Sequence, residues 1–128
     1  MQEPDQELDA TAHGVIGAAI EVHRELGPGF LESTYAKALA IELGRQNIQF
    51  VQEAPIQLFY KGESLGEGRI DLLIENRLIV ELKAVERIAP IHQAQVMSYL
   101  KITQKTLGLL INFNAEVLRD GIKRIILS

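Results

Sequence analysis

The sequence predicts an α/β domain in which a mixed central sheet is flanked by helices. Three observations carry this. Apolar residues recur at helical spacing in the first third of the chain. Short strand-like segments then follow one another from residue 48 to residue 84. A third helical segment separates the last of these from Leu107-Gly-Leu-Leu-Ile111, whose unbroken hydrophobicity is that of a strand covered on both faces.

Taken in order, the acidic and polar residues 1–9 are expected to be disordered, leaving 10–128 as a single domain. A helix is expected over 10–26, where Val15, Ile16, Ala19, Ile20, His23 and Leu26 form an apolar stripe. Gly27-Pro28-Gly29 stops it. A second helix follows over 31–45, with Leu31, Tyr35, Ala38, Leu39 and Glu42 one to two turns apart and Gly44 near its C-terminus. Segments 48–52 and 56–60 read as short strands split by Pro55, and Lys61-Gly62-Glu63 as a turn. The clearest strands are 68–74 and 78–84, joined around Asn76-Arg77. Pro90 suits the first turn of a helix over 91–102. Strands over 107–113 and 122–127 complete the pattern.

The chain of 128 residues has no cysteine, which excludes disulfides, thiol nucleophiles and thiolate metal sites. No basic start or apolar stretch marks a secretory signal, and no run approaches the length of a membrane span, so a cytoplasmic protein is expected. The net charge is −4, unusual for a tight, nonspecific nucleic-acid binder. The balance is uneven: residues 1–50 carry eight acids and three bases, whereas 51–128 carry nine acids and ten bases. A phosphate-binding surface is therefore expected on the later part.

The first candidate site is Asp71 with Glu81-Leu82-Lys83. Residues two apart on a strand share a face, so Glu81 and Lys83 project together and Leu82 opposes them. An acid and a lysine on an otherwise apolar strand are costly if buried and idle. Two carboxylates and a backbone carbonyl make a hard oxygen site suited to Mg²⁺, and a neighbouring lysine can hold the attacking water or offset phosphate charge. A structural salt bridge or a solvated strand face accounts for the spacing as well. The site carries a register condition. With a two-residue turn at Asn76-Arg77, Asp71 opposes Leu82 and faces away; with a three-residue turn it is expected opposite Lys83; a β-bulge also suffices.

A second constellation is Gln95 and Tyr99, four apart on the later helix, with His92 three residues earlier. Gln95 would orient a water or a phosphate, and Tyr99 would bond phosphate or Glu81; a core aromatic with a satisfied hydroxyl is the plainer reading of Tyr99. His92 reads as a helix-start or rim residue and His23 as a core or boundary residue; the three histidines lack zinc-ligand spacing. A third is Gly29-Phe-Leu-Glu32-Ser-Thr-Tyr35, where Glu32 is either a further acid near the metal or a partner of the helix dipole. No phosphate-cradling loop or nucleophile elbow is present.

Gly29-x-x-Glu32-x-x-Tyr35 resembles the signature of the bacterial GxxExxY proteins. So do, in order, the block from Val15 to Glu32 and the blocks Ile70-Asp-Leu-Leu-Ile74, Ile79-Val-Glu-Leu-Lys-Ala84, Gln95-Val-Met-Ser-Tyr-Leu100 and Leu107-Gly-Leu-Leu-Ile-Asn-Phe113. The similarity spans about residues 12–127. It implies the PD-(D/E)XK nuclease-like superfamily, with a restriction-endonuclease-like αβββαβ core and phosphodiester hydrolysis using one or two metal ions. By that resemblance Asp71 is the metal-binding aspartate, Glu81 and Lys83 are the (D/E)-x-K pair, and the Leu82 carbonyl and Glu32 complete the Mg²⁺ or Mn²⁺ ligands. Gln95 and Tyr99 resemble the Q-x-x-x-Y element of recombination-type helicase-nucleases. Ile70 stands where the motif has proline.

Two functions are expected from this. One is a nuclease acting on DNA or RNA, with homodimerisation among its expected properties. The other is a catalytically silent module that binds nucleic acid or a protein partner. A basic cleft fed by Arg69, Arg77, Arg87, Lys101 and Lys105 favours the first; an acidic rim with a large apolar patch favours the second.

Overall fold

A computed structural model describes residues 4–128. Three helices, five strands and one 3₁₀ turn follow in the order α1 (Gln6–Leu26), α2 (Glu32–Arg45), β1 (Phe50–Tyr60), β2 (Glu63–Ile74), β3 (Leu78–Lys83), α3 (Pro90–Thr103), β4 (Leu107–Asn112), the 3₁₀ turn (Leu118–Gly121) and β5 (Ile122–Ile126). The sheet order is β1-β2-β3-β4-β5. β3 and β4 are parallel and joined across α3; the other neighbours are antiparallel. The expected α/β class and αβββαβ core are present.

The two faces of the sheet carry separate cores. On one, α1 and α2 bury Leu8, Ala12, Val15, Ala19, Tyr35, Leu39 and Leu43 against Leu72, Val80, Leu82, Leu109 and Ile111. On the other, Val96 and Leu100 of α3 pack on Ile79, Leu110 and Ile125. Gly108 is required there, because a Cβ would come within 2.6 Å of Val96.

Several boundaries differ from expectation. Helix α1 begins at Gln6, not residue 10, because Asp5 caps it by accepting from the Leu8 N–H at 2.8 Å and Leu8 is buried. The segment expected to be disordered is therefore helical from Gln6; residues 1–3 lie outside the described residues. The buried stripe of α1 runs through positions 8, 12, 15, 19 and 22, and Ile20 is exposed. Leu31 lies just outside α2 and is also exposed. The strands expected on either side of Pro55 are one strand: β1 is the sheet edge, where a missing N–H is tolerated. Strand β2 starts five residues before the expected position.

The β1–β2 ribbon also changes face along its length. Leu72 and Ile74 belong to the first core, yet Ile70 belongs to the second. All three are even-numbered and would share a face in a regular strand. On β1, Phe50 packs on the first core while Ala54 and Ile56 lie in the second. The turnover falls at Glu53 and Asp71, which drop out of the ladder between Gln52↔Leu72 and Ala54↔Ile70. Glu53 takes a left-handed φ of 51°, uncommon for a residue with a side chain.

Candidate active site

The β2–β3 turn consists of Glu75, Asn76 and Arg77, since Ile74 pairs with Leu78. Its length is odd, as the site requires. The register differs from the expected one: Leu72 pairs with Val80, so the next residues, Asp71 and Glu81, face one another, and Asp71 does not oppose Lys83. Backbone pairing stops at Leu72 and Val80. Beyond it the two carboxylates reach across the gap. Glu81 Oε2 accepts from the Asp71 N–H at 2.6 Å, and Asp71 Oδ2 accepts from the Leu82 N–H at 2.8 Å. Side chains thus satisfy backbone donors that a longer ladder would have used.

Glu81 is only 4% exposed. Its parallel neighbour on β4 is Leu110, so the carboxylate has an apolar flank. Burial and the nearby Asp71 carboxylate push its pKa up to about 8, against the opposing effects of the Asp71 N–H and Lys83. Asp71 is also raised, chiefly by burial, with the Leu82 N–H and Lys83 acting the other way. Glu32 is raised by burial and by Asp71. Three acids of three elements therefore share one negative field, with Lys83 as its nearby counter-charge.

Glu32 reaches this field from the N-terminus of α2. It shares a cleft of about 430 Å³ with Ser33, Ala36, Lys37, Gln52, Glu53, Asp71 and Leu82. Glu32 and Tyr35 do not share a role. Tyr35 is fully buried, stacks on Phe113 at 4.6 Å, donates to the Gly27 carbonyl at 2.5 Å and accepts from the Phe30 N–H at 3.2 Å. It pins the Gly27–Phe30 turn, in which Gly29 has a φ of 107° that favours glycine.

Tyr99 lies on the same side of the sheet as Glu81. Burial and Glu81, then Asp71, raise its pKa, and it sits where a Cβ on Gly68 would be 3.6 Å from its ring. Gln95 is exposed and donates to the Tyr99 hydroxyl at 3.4 Å. His92 accepts from the Ala89 N–H through Nδ1 at 3.0 Å and so closes the start of α3, the helix-start role its position implies. His23 bonds the Ala115 carbonyl at 2.8 Å, as a boundary residue would.

The basic cleft is only partly assembled. Arg77 pairs with Asp5 at 2.8 Å, and Lys105 donates to the Asn76 carbonyl at 2.9 Å. Both therefore belong to the turn end of β3, roughly 20 Å along the strand from Lys83. Arg69 stays closer, donating to the Glu53 carbonyl at 3.3 Å. Sequence reasoning also missed Glu53, which contributes to the raised pKa values of Asp71 and Glu32. Pro55, read as a break between strands, was its nearest signal.

Among the described residues no three His, Cys, Asp or Glu side chains converge as a ready metal cage. The donor set nonetheless suits a hard divalent cation. Its oxygens come from two facing carboxylates, a backbone carbonyl and a third acid across a cleft, and a cation would relieve the mutual repulsion that raises Glu81 and Glu32.

The family model for the PD-(D/E)XK nuclease superfamily matches residues 9–125, nearly the whole chain, and the chain belongs to that superfamily. No curated protein matches it. A solved structure titled "Crystal structure of SSO0001" aligns with 89% of this chain and 67% of its own at 16% identity and a TM-score of 0.45, too loose a likeness to carry an argument.

Proposed function

We propose that this member of the PD-(D/E)XK nuclease superfamily is a divalent-metal-dependent nuclease that hydrolyses phosphodiester bonds of DNA or RNA. The observation that carries the reading is the break in the β2–β3 ladder, where Asp71 and Glu81 face one another beside Lys83. Asp71, Glu81, the Leu82 carbonyl and Glu32 would hold Mg²⁺ or Mn²⁺. When bound, the ion supplies Lewis-acid stabilisation of the charge that develops on the phosphoryl oxygens.

The chain's own groups do the rest. Glu81 would hold the ion in its ionised form, the proton that its burial favours passing to solvent. Lys83 orients the water whose oxygen attacks phosphorus and offsets the added negative charge, while the proton that this water loses passes to solvent. The P–O bond on the far side breaks, and the departing oxygen takes a proton from solvent. Tyr99, positioned with help from Gln95, donates a hydrogen bond to a phosphate oxygen. Leu110 and the α3 packing keep water from the buried side of Glu81.

Within the superfamily we assign the chain to the GxxExxY group. Gly29 at a positive φ, Glu32 on the cleft and Tyr35 as the anchor of the intervening turn give each letter of the signature a physical task. A cytoplasmic location and a homodimer that offers one site to each strand belong to the same reading. Among the described residues no helix is long and apolar enough to cross a membrane.

A second reading is a catalytically silent module that binds nucleic acid or a protein partner. It is favoured by the net charge of −4 and by the engagement of Arg77 and Lys105 at the turn end of β3, away from Lys83. The test is cleavage of labelled single- and double-stranded DNA and RNA with Mg²⁺ or Mn²⁺, comparing native protein with Lys83→Ala. Metal-dependent cutting that is lost in the variant supports the nuclease. Binding of those nucleic acids without cutting supports the silent module.

A further inference from the structure

In the parallel register, Asn112 of β4 stands beside Lys83 of β3, and neighbours in register present their side chains on the same face. Asn112 is 4% exposed, one of two buried polar or charged residues among the described residues. Both ends of its amide are engaged. Oδ1 accepts from the Val85 N–H at 3.0 Å, and Nδ2 donates to the Val85 carbonyl at 2.8 Å. Strand β3 has ended by then, so the carboxamide serves as one more backbone-like partner for a departing chain. The Phe113 N–H donates to the Lys83 carbonyl at 2.9 Å, closing the same segment from its other side.

The clamp is itself held in place. Oδ1 also accepts from the Asn114 N–H at 3.2 Å, and His23 fastens the Ala115 carbonyl from α1. A Cβ on Gly121 would lie 2.5 Å from the Asn112 carbonyl, so only glycine lets the 3₁₀ turn approach this closely. Among the described residues none of these groups is hydrogen-bonded to the acids; their common effect falls on residues 82–85.

We infer that Asn112 is a positioning residue for the site, fixing the Leu82 carbonyl and the Lys83 backbone by holding Val85 through both of its backbone polar groups. The inference rests on the metal-binding reading above. Groups that orient metal ligands from outside typically cost tenfold or more in affinity when removed.

The test uses Mn²⁺ alone, measured by calorimetry, on the native chain, Asn112→Leu, Asn112→Asp and Leu8→Ala. Leu8 is buried on α1 near the opposite end of the sheet and serves as a control for lost stability. Asn112→Leu is expected to weaken Mn²⁺ at least about tenfold. Asn112→Asp keeps the acceptor for Val85 N–H and is expected to fall between, and Leu8→Ala to bind as the native chain does. Native affinity in Asn112→Leu, or an equal loss in Leu8→Ala, overturns the inference. If Asn112→Leu does not fold, native affinity in Asn112→Asp overturns it as well. Absence of Mn²⁺ binding by the native chain overturns the metal-site reading itself, a different result from any of these.

Discussion

The two halves of β3 make opposite use of the same strand. Residues 78–80 are paired on both sides, to β2 and to β4, and every side chain is apolar and buried. Residues 81–83 keep the β4 ladder but lose the β2 partner, and carboxylates take over the backbone bonds. Regular pairing satisfies the backbone and leaves no acceptor to spare. The interrupted pairing spends side-chain oxygens on backbone N–H groups and keeps their remaining lone pairs together in one place. A metal site can therefore be built here without any loop.

The comparison predicts effects that differ in kind between the halves. Lys83→Ala is expected to lower cleavage by at least about a hundredfold, the size of a lost electrostatic or proton-handling group, with melting temperature little changed. Steady-state rates and a thermal melt on one preparation check both parts. Leu78→Ala should do the reverse. It leaves a cavity under a fully buried position and should cost about 2–5 kcal/mol of stability while cleavage at low temperature persists. Denaturant unfolding measures the first, and the same cleavage assay the second.

Glu81→Gln sharpens the contrast through pH. Glu81 has a folded pKa of about 8, above its ordinary value of 4.5. Its contribution to metal-free stability is therefore fully present below the unfolded value and is lost as pH rises through about 8. Glutamine carries no such penalty. In the presence of a chelator, Glu81→Gln should be more stable than the native chain by roughly 4 kcal/mol at pH 8, and the gap should close toward pH 4. Melting temperature against pH for the two proteins checks this; parallel curves would break the account of a buried, charge-crowded carboxylate. The smallest effect belongs to Tyr35→Phe, which removes the bonds to Gly27 and Phe30 and should cost about 1 kcal/mol with Mn²⁺ affinity unchanged.

Those residues also mark what could be read from the sequence. Period-two spacing placed Glu81 and Lys83 on one face, and loop parity limited where Asp71 could lie. The register itself was not legible, because residues 75–77 and 76–78 are equally good three-residue turns by length. Burial of Ile74 and Leu78 decides between them. The turnover of the β1–β2 ribbon was hidden for another reason: Ile70, Leu72 and Ile74 keep perfect alternation while the strand beneath them rotates. Asp5 as a cap was overlooked because the first turn of α1 is acidic, which suits a helix dipole as well as it suits disorder. Asn112 had a signal that passed unused, a lone amide at the end of an otherwise apolar buried strand.

The most direct test of the central claim is Mn²⁺ titration of the native chain and Asp71→Ala by calorimetry near pH 8. Saturable binding by the native chain, lost in Asp71→Ala while the variant keeps its fold, is the predicted result. Equal binding by both proteins would contradict a metal site built on the broken β2–β3 ladder.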